Sequence, residues 1–324
     1  ADVDYTFAQV GVREAVVDYS SNCGNMSSAI GPFAVDEGVV PAAGDRALVR
    51  IHNTNTGKII HSTFPLDDGK AAVDGTLAVP GVAGTGAPIR LEFREPGGAG
   101  TGLLLPTGNV VDELVVPGLG RVQASLVDAT NPCVFVRAED LGLRGTELPD
   151  ELERDAGLLD RLESIRRAAA VAMGLAASPE AAASRPGSPK VGFVSPPQEA
   201  RTLADTFVGA GDVDLTARMI SNGQPHRALP LTGALCLAVA ARIDGTLVHG
   251  LARPAAPNAE IRLGMPSGVL FLAATVARRR GAWEAEQAAV YRTARRLFQG
   301  AVLVAASRVP EPVVVDVLGR EVGK

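Results

Sequence analysis

The chain has 324 residues, enough for one large or two ordinary domains with sizeable cores. Its net charge of -5 and pI near 5.5 exclude a general nucleic-acid-binding surface. Three cysteines without CxxC spacing indicate neither a disulfide framework nor a zinc site, no apolar run reaches the ~18 residues of a membrane span, and a reducing cytoplasm is the expected location.

The opening residues, Ala1-Asp2-Val3-Asp4-Tyr5, contain no signal peptide and read as entry into an element whose upstream part is missing. Glu14 to Tyr19 alternates like a strand. Ser21-Asn22-Cys23-Gly24-Asn25 then leads into an apolar run, Met26 to Val35, that reads as a helix. A cysteine at that junction sits among unpaired backbone N–H groups at the positive end of a helix dipole, a setting that favours thiolate and suits a substrate carboxylate. Cys23 is therefore a candidate acid/base, with a small buried apolar residue at a helix start as the competing role, and Asn22, Gly24 and Asn25 are candidate carboxylate ligands; a plain N-cap is the competing role for Asn22.

Arg46 to His52 alternates as a strand, Asn53-Thr54-Asn55-Thr56-Gly57 is a turn, and Lys58 to Phe64 is a second strand. Further strands are expected at 70–78, 87–95 and 121–128. The segment Gly97 to Gly102 lacks the Lys-Ser/Thr of a phosphate loop, which excludes nucleotide binding there. From Asn131-Pro132-Cys133 the texture changes, with Asn131 either a turn former or a substrate ligand and Cys133 a core residue. Residues 150–176 carry Leu152, Leu158, Leu159, Leu162, Ile165 and Ala169 at helical spacing, an amphipathic surface helix. A loop at 177–188 precedes the strand Lys190 to Ser195, in which Lys190 is expected to face solvent. His226 lies just before a second apolar helix, 234–243, opened by Thr232-Gly233; Cys236 within it reads as core. Ser267 and Gly268 form a polar turn that is a further candidate anion ligand, and Arg278 to Arg280 a solvated loop before Trp283. His52, His61 and His249 lack ligand spacing, so no metal is expected.

An internal repeat organises these elements. Val3-Asp4-Tyr5-Thr6 recurs as Val213-Asp214-Leu215-Thr216, an offset of 210 that carries Asn22-Cys23 onto Thr232-Gly233. An offset of 211 carries Asn53–Gly57 onto Gly264–Gly268. Two such copies face two helix N-termini and two polar turns toward one cleft, where their dipoles focus on an anion. The strand at 190–194 has its counterpart ahead of Ala1, so half of the first module is expected upstream of this sequence.

Asn22-Cys23-Gly24-Asn25, Gly31-Pro32-Phe33-Ala34, Asp128-Ala129-Thr130-Asn131-Pro132, Pro189-Lys190-Val191, Pro230 to Cys236, Pro266-Ser267-Gly268 and Tyr291 to Leu297 together resemble the PrpF family, in order over nearly the whole chain. That family includes 2-methylaconitate isomerase, methylitaconate delta-isomerase and 4-oxalomesaconate tautomerase. The resemblance implies an α/β (α+β) fold like that of diaminopimelate epimerase, with two pseudo-symmetric domains, each a curved sheet around a central helix. Here they would be residues 1–122 and 123–286, with 287–324 returning to the first. It further implies cofactor-independent proton transfer that moves a double bond in an unsaturated di- or tricarboxylate, with Cys23 as acid/base and no cofactor. The substrate ligands would be Asn22, Gly24, Asn25, Asn131, Thr232, Gly233, Ser267 and Gly268. The family's second catalytic group is a lysine in a segment that would precede Ala1. Ser21 and Met265 stand where the family commonly has Gly and His. The expected partner is a small-molecule carboxylate, with neither nucleic acid nor membrane; a homodimer stays open. Competing readings are a racemase or epimerase on the same fold, a catalytically inactive small-carboxylate-binding protein, and a cysteine hydrolase, which needs a His and an Asn or Asp beside Cys23.

Overall fold

In the computed structural model, residues 1–10, 17–19, 22–256, 259–301, 303, 305 and 307 are described. Residues 1–294 form one compact unit and 295–324 a second. The described part of the second carries no long helix or strand; Arg296 there donates to Gln299 Oε1 at 3.3 Å, and Leu297 and Phe298 are exposed.

The first unit begins with β1 (Val3–Tyr5), which leads to helix α1 (Gly24–Asp36) and then to the hairpin of β2 (Arg46–Asn53) and β3 (Lys58–Asp67). Alternation decides β2: Ala47, Val49, Ile51 and Asn53 are buried, while Arg46, Leu48 and Arg50 face out. The expected turn follows, with Gly57 at φ 66°. Strands β4 (Ile89–Arg94), β5 (Asp112–Val116), β6 (Gly120–Ala129) and β7 (Asn131–Arg137) come next. The surface helix α2 (Ala156–Ala172), β8 (Lys190–Ser195) and β9 (Leu215–Ser221) lead to helix α3 (Leu231–Ala240). Strands β10 (Ile261–Met265), β11 (Gly268–Arg279) and β12 (Ala282–Arg292) complete the unit.

Most expected elements are present. Exceptions have local causes. The strand expected over 70–78 is only two short pieces, Lys70–Ala71 and Leu77–Ala78, because the chain between them makes no ladder. The loop at 177–188 contains a short helix, Pro179–Ala183, capped by the Ser178 hydroxyl. Strand β5 was not expected; its Leu114 and Val116 are buried beneath α2 while Val115 is exposed. Of the strand expected at 14–19, Val17–Asp18 pairs with Gln9–Val10, and residues 14–16 lie outside the described residues, as does Ser21.

The main path of one large sheet runs β1-β2-β3-β4-β12-β11-β10-β9-β8-β7-β6-β5. Its first eight strands are two copies of one pattern joined back to back where β4 meets β12 antiparallel. In the first copy β1 runs parallel to β2, Val3 opposite Ile51; in the second β9 runs parallel to β10, Leu215 opposite Leu263. The same clasp closes both. Asp2 accepts from the Arg50 backbone N–H (2.7 Å) and guanidinium (2.6 and 3.2 Å), and Asp214 accepts from those of Arg262 (2.9, 2.6 and 3.2 Å), each pair 48 residues apart. Arg50 holds the Asp2 carboxyl down at about 2; burial acts against this for Asp214, but Arg262 outweighs it and the net shift is also downward. The repeat is therefore present at an offset of 212, two residues from the match read over Val3–Thr6 and one from that read over Asn53–Gly57: Val3 corresponds to Leu215, not to Val213. A shift of two preserves the inward and outward faces of a strand, so the hydrophobic pattern could not expose it.

Two cores flank the sheet. Helix α3 has no charged residue and all ten of its residues are buried, packed against β6, β7, β11 and β12. A helix apolar all round belongs inside a protein. Gly31 lets α1 lie close on β3, since a Cβ there would fall 2.5 Å from Ser62 Oγ. The second core forms where α2 lays Leu158, Leu162, Ile165 and Ala169 on β5 to β8. No helix among the described residues is long and apolar enough to cross a membrane. Leu162 is fully buried, so Leu162→Ala should destabilise the fold by about 2–5 kcal/mol, read as a lowered urea midpoint at unchanged m-value.

Candidate active site

Helix α1 begins where its sequence promised. Cys23 is the N-cap residue, extended at φ -105° and ψ 106°, and among the described residues no side chain caps the helix end. The first intrahelical bond is Ser27 N–H to Cys23 C=O at 3.0 Å. The N–H groups of Gly24, Asn25 and Met26 thus have no acceptor within the helix. The half-buried Cys23 stands beside them. Asn22 is buried, and its Oδ1 accepts from Asn53 Nδ2 (3.4 Å) and Ser27 Oγ (3.3 Å). Asn53 also reaches the Tyr5 carbonyl, while Asn55 Nδ2 holds the carbonyls of Phe7 and Tyr19, each at 2.9 Å. The Asn53–Gly57 turn thus spends these amides on the Asn22 and Asn55 side chains and on backbone carbonyls, and braces the approach to Cys23.

The second helix end meets the first. α3 starts after Pro230, again without a side-chain cap, and its first internal bond is Ala234 N–H to Pro230 C=O at 2.9 Å. A Cβ on Gly24 would lie 2.6 Å from Leu231 Cδ2, so the first turns of α1 and α3 touch. The left-handed Thr130 (φ 61°), in the tight turn between β6 and β7, fixes α3 by donating its hydroxyl to the Thr232 carbonyl at 2.7 Å. Judged by cap position, the counterpart of Cys23 is Pro230. Counting along the chain had given Gly233, because the connection into α3 is shorter than the one into α1. Thr232 and Gly233 are both buried in the first turn.

Lys190 overturns the expectation of a solvent-facing residue. It is 9% exposed. All six residues of β8 are buried, because the sheet continues on both sides of it and α2 covers one face. Its stem runs along α3: a Cβ on Gly233 would stand 3.5 Å from Lys190 Cδ and would collide with Met219 Sδ. Burial pulls the Lys190 pKa down, while the thiols of Cys133 and Cys23 act to raise it. Burial, then the charge of Lys190, pushes His226 down to about 4, and its Nε2 lies 3.1 Å from Ser221 Oγ. Burial, then the Cys23 thiol, pushes the Tyr5 hydroxyl up to about 12. Among the described residues that buried hydroxyl has no hydrogen-bond partner. At the α1 end, Arg292 from β12 donates to Asn25 Oδ1 at 3.2 Å.

The remaining candidates lie as follows. Asn131 is buried at the start of β7, and its carbonyl lies 3.5 Å from Cys133 Sγ. Ser267 and Gly268 turn β10 into β11 against Pro80 and Gly81; the Ser267 hydroxyl is buried without a partner, and no hydrogen bond among the described residues joins either residue to Cys23. Cys236 is core, its thiol 3.3 Å from the Val127 carbonyl. In the glycine-rich loop the anion position belongs to Asp128, whose Oδ2 accepts from Gly100 N (2.8 Å), Thr101 N (2.6 Å) and Thr101 Oγ1 (2.8 Å). Among the described residues no group of three or more His, Cys, Asp or Glu could hold a metal ion. Tyr5 and Arg292 were not among the sequence candidates, and Lys190, the one charge in its strand, was read there as facing solvent in preference to the cleft.

The family model described as PrpF protein matches residues 1–305. The 3-methylitaconate isomerase of Eubacterium barkeri is 43% identical over 306 residues, 94% of this chain and 79% of that protein. The 2-methyl-aconitate isomerase of Shewanella oneidensis is 40% identical over 319 residues, 96% of this chain and 79% of that protein. A crystal structure of methylitaconate-delta-isomerase, 41% identical, superposes with a TM-score of 0.83 over 96% of this chain and 81% of that chain.

Two outcomes follow from the packing and the titration. Gly24→Ala should destabilise the fold by about 1–3 kcal/mol through its clash with Leu231, and the double variant with Leu231→Ala should lose less than the two singles together in thermal or urea unfolding. The unfolded chain protonates a histidine near 6.5 whereas folded His226 resists protonation down to about 4. Stability should therefore fall as pH drops from about 6.5 toward 4, and His226→Gln should flatten that part of the urea-midpoint profile.

Proposed function

The chain belongs to the PrpF family, and from that premise we propose that it is an isomerase moving a double bond within an unsaturated di- or tricarboxylate, with Cys23 as an acid/base group. The observation that carries this reading is the meeting of two uncapped helix N-termini, with the Cys23 side chain at one of them.

The chemistry is an allylic proton shift. A base breaks the C–H bond beside the activating carboxylate, and the electron pair spreads through the alkene onto carboxylate oxygen. An acid then delivers a proton two carbons away, and the double bond settles in its new position. Proton and electron counts are unchanged, so the step itself needs no redox partner. The charge that develops on the carboxylate is what free N–H groups at a helix end stabilise, and more strongly in a site shielded from water. Cys23 stands at that end as one proton carrier. Asn22, Gly24 and Asn25 on α1, Thr232 and Gly233 on α3, and Asn131, Ser267 and Gly268 are our candidate ligands for the acid. A racemase working with paired thiols is disfavoured, because the cap counterpart of Cys23 is Pro230, which cannot carry a proton.

Incubation in heavy water with methylaconitate, methylitaconate and oxalomesaconate, followed by proton NMR, should show exchange and double-bond migration in at least one acid. Cys23→Ser should slow it roughly 10²- to 10⁴-fold. Tight binding of one acid with no exchange in any would replace the enzyme by a carboxylate-binding protein.

A further inference from the structure

Strand β11 is apolar on both faces. Leu270, Leu272 and Ala274 point into the core that holds α3. An antiparallel strand with one face on a core turns polar side chains to the other as a rule. β4 follows it, with Arg90, Glu92 and Arg94 alternating with the core residues Ile89, Leu91 and Phe93. From Val269 to Ala277 of β11, Thr275 is the one polar residue, and Phe271 and Ala273 point away from the core. On β12 the residues pointing the same way are Gln287, Ala289 and Tyr291. The helices that pack on these strands, α1 and α3, lie on the core side.

This outer face has a shape of its own. Phe271 is 49% exposed and Tyr291 39%, while Ala273 and Ala289 lie directly opposite each other in the ladder. Together they line a depression of about 460 Å³. Arg90 of β4 and Glu260, just ahead of β10, line it as well, on strands three spacings or roughly 14 Å apart. Glu92 is shared by Arg90 and Arg94, so that side carries one positive charge in excess. Glu260 is exposed and in no ion pair among the described residues.

An exposed apolar patch with aromatic side chains is the mark of a protein contact. Strand addition is excluded here, because β4, β12, β11 and β10 each have a neighbour on both sides. A ligand of one charge sign fits poorly between an arginine and a glutamate. What fits is the face itself. A two-fold axis sets each group against its counterpart on the other copy, so the surface must complement itself. This one offers a knob, Phe271, beside a hole over two alanines, and a positive side opposite a negative one.

We propose that a second copy of this chain docks on the outer face of β4, β12, β11 and β10, forming a two-fold dimer centred on Phe271, Ala273, Ala289 and Tyr291. The Phe271 ring of each copy enters the depression of its partner, and Arg90 of each faces Glu260 of the other. The dimer covers the seam where β4 meets β12, the ladder that joins the two halves of the fold. Cys23 and both helix ends stay on the opposite side of the sheet.

Sedimentation equilibrium of the full chain should show a dimer with a micromolar or tighter Kd. Phe271→Ala should raise that Kd at least roughly 10-fold. Glu260→Arg should weaken the dimer too, and adding Arg90→Glu should restore it, because the pair of swaps reverses both ends of each contact. Loss of a merely structural contact would not be rescued in this way. If Arg90→Glu disturbs the fold, Ala273→Cys gives a second reading: a bismaleimide should link it into dimers beyond the level wild type gives. A monomer at every concentration would overturn the proposal. So would a Kd unchanged in both Phe271→Ala and Glu260→Arg, or an Ala273→Cys chain that links no better than wild type. Turnover enters none of these readings, so they stand apart from the isomerase reading.

Discussion

The contact on which the rest of the structure depends is the one between the first turns of α1 and α3. Two helix ends, each with N–H groups that no helix carbonyl accepts, meet here, the α3 end buried and the α1 end partly open, and such groups favour a negative partner. Gly24 makes the approach possible, because any side chain there would meet Leu231. The neighbouring devices serve the same contact. Asn22 and Asn53 hold the backbone that leads to Cys23, and Thr130 accepts a left-handed conformation so that its hydroxyl can fix the Thr232 carbonyl.

What brings the two ends together is the sheet. Two copies of one strand pattern, each closed by an aspartate–arginine clasp, are joined through β4 and β12, and α3 fills the centre of the core. The copies are alike in backbone and unlike in chemistry. One presents a thiol at its helix cap and the other a proline; one has an arginine beside the helix and the other a buried lysine. A site between two similar halves with different side chains suits a reaction in which a proton leaves one carbon and returns at another.

Much of this fold could be read along the chain. Strand β2 declared itself by strict alternation, α2 by its leucine and isoleucine spacing, α3 by the absence of any charge, and the start of α1 by Asn22-Cys23-Gly24 ahead of an apolar run. The exact match between the repeats could not be read, since displacement by two residues leaves strand faces unchanged and the two connections into the helices differ in length. Lys190 was misjudged for a related reason. Its strand begins with a charge, which in an edge strand points to water, but whether β8 is an edge or an interior strand is settled by which strands pair beside it.

The sequence by itself determined the elements, the family, and Cys23 at a helix start, because periodicity, capping position and local motif are properties of neighbouring residues. Only the tertiary structure decided that Gly24 touches Leu231, that Pro230 stands in for Cys23 on the second helix, that Tyr5 and Lys190 are buried near the same thiol, and that the Asn53–Gly57 turn is a brace. Each of those joins residues far apart in the chain, and their separation is set by sheet order and helix approach, which depend on how all the strands pair at once.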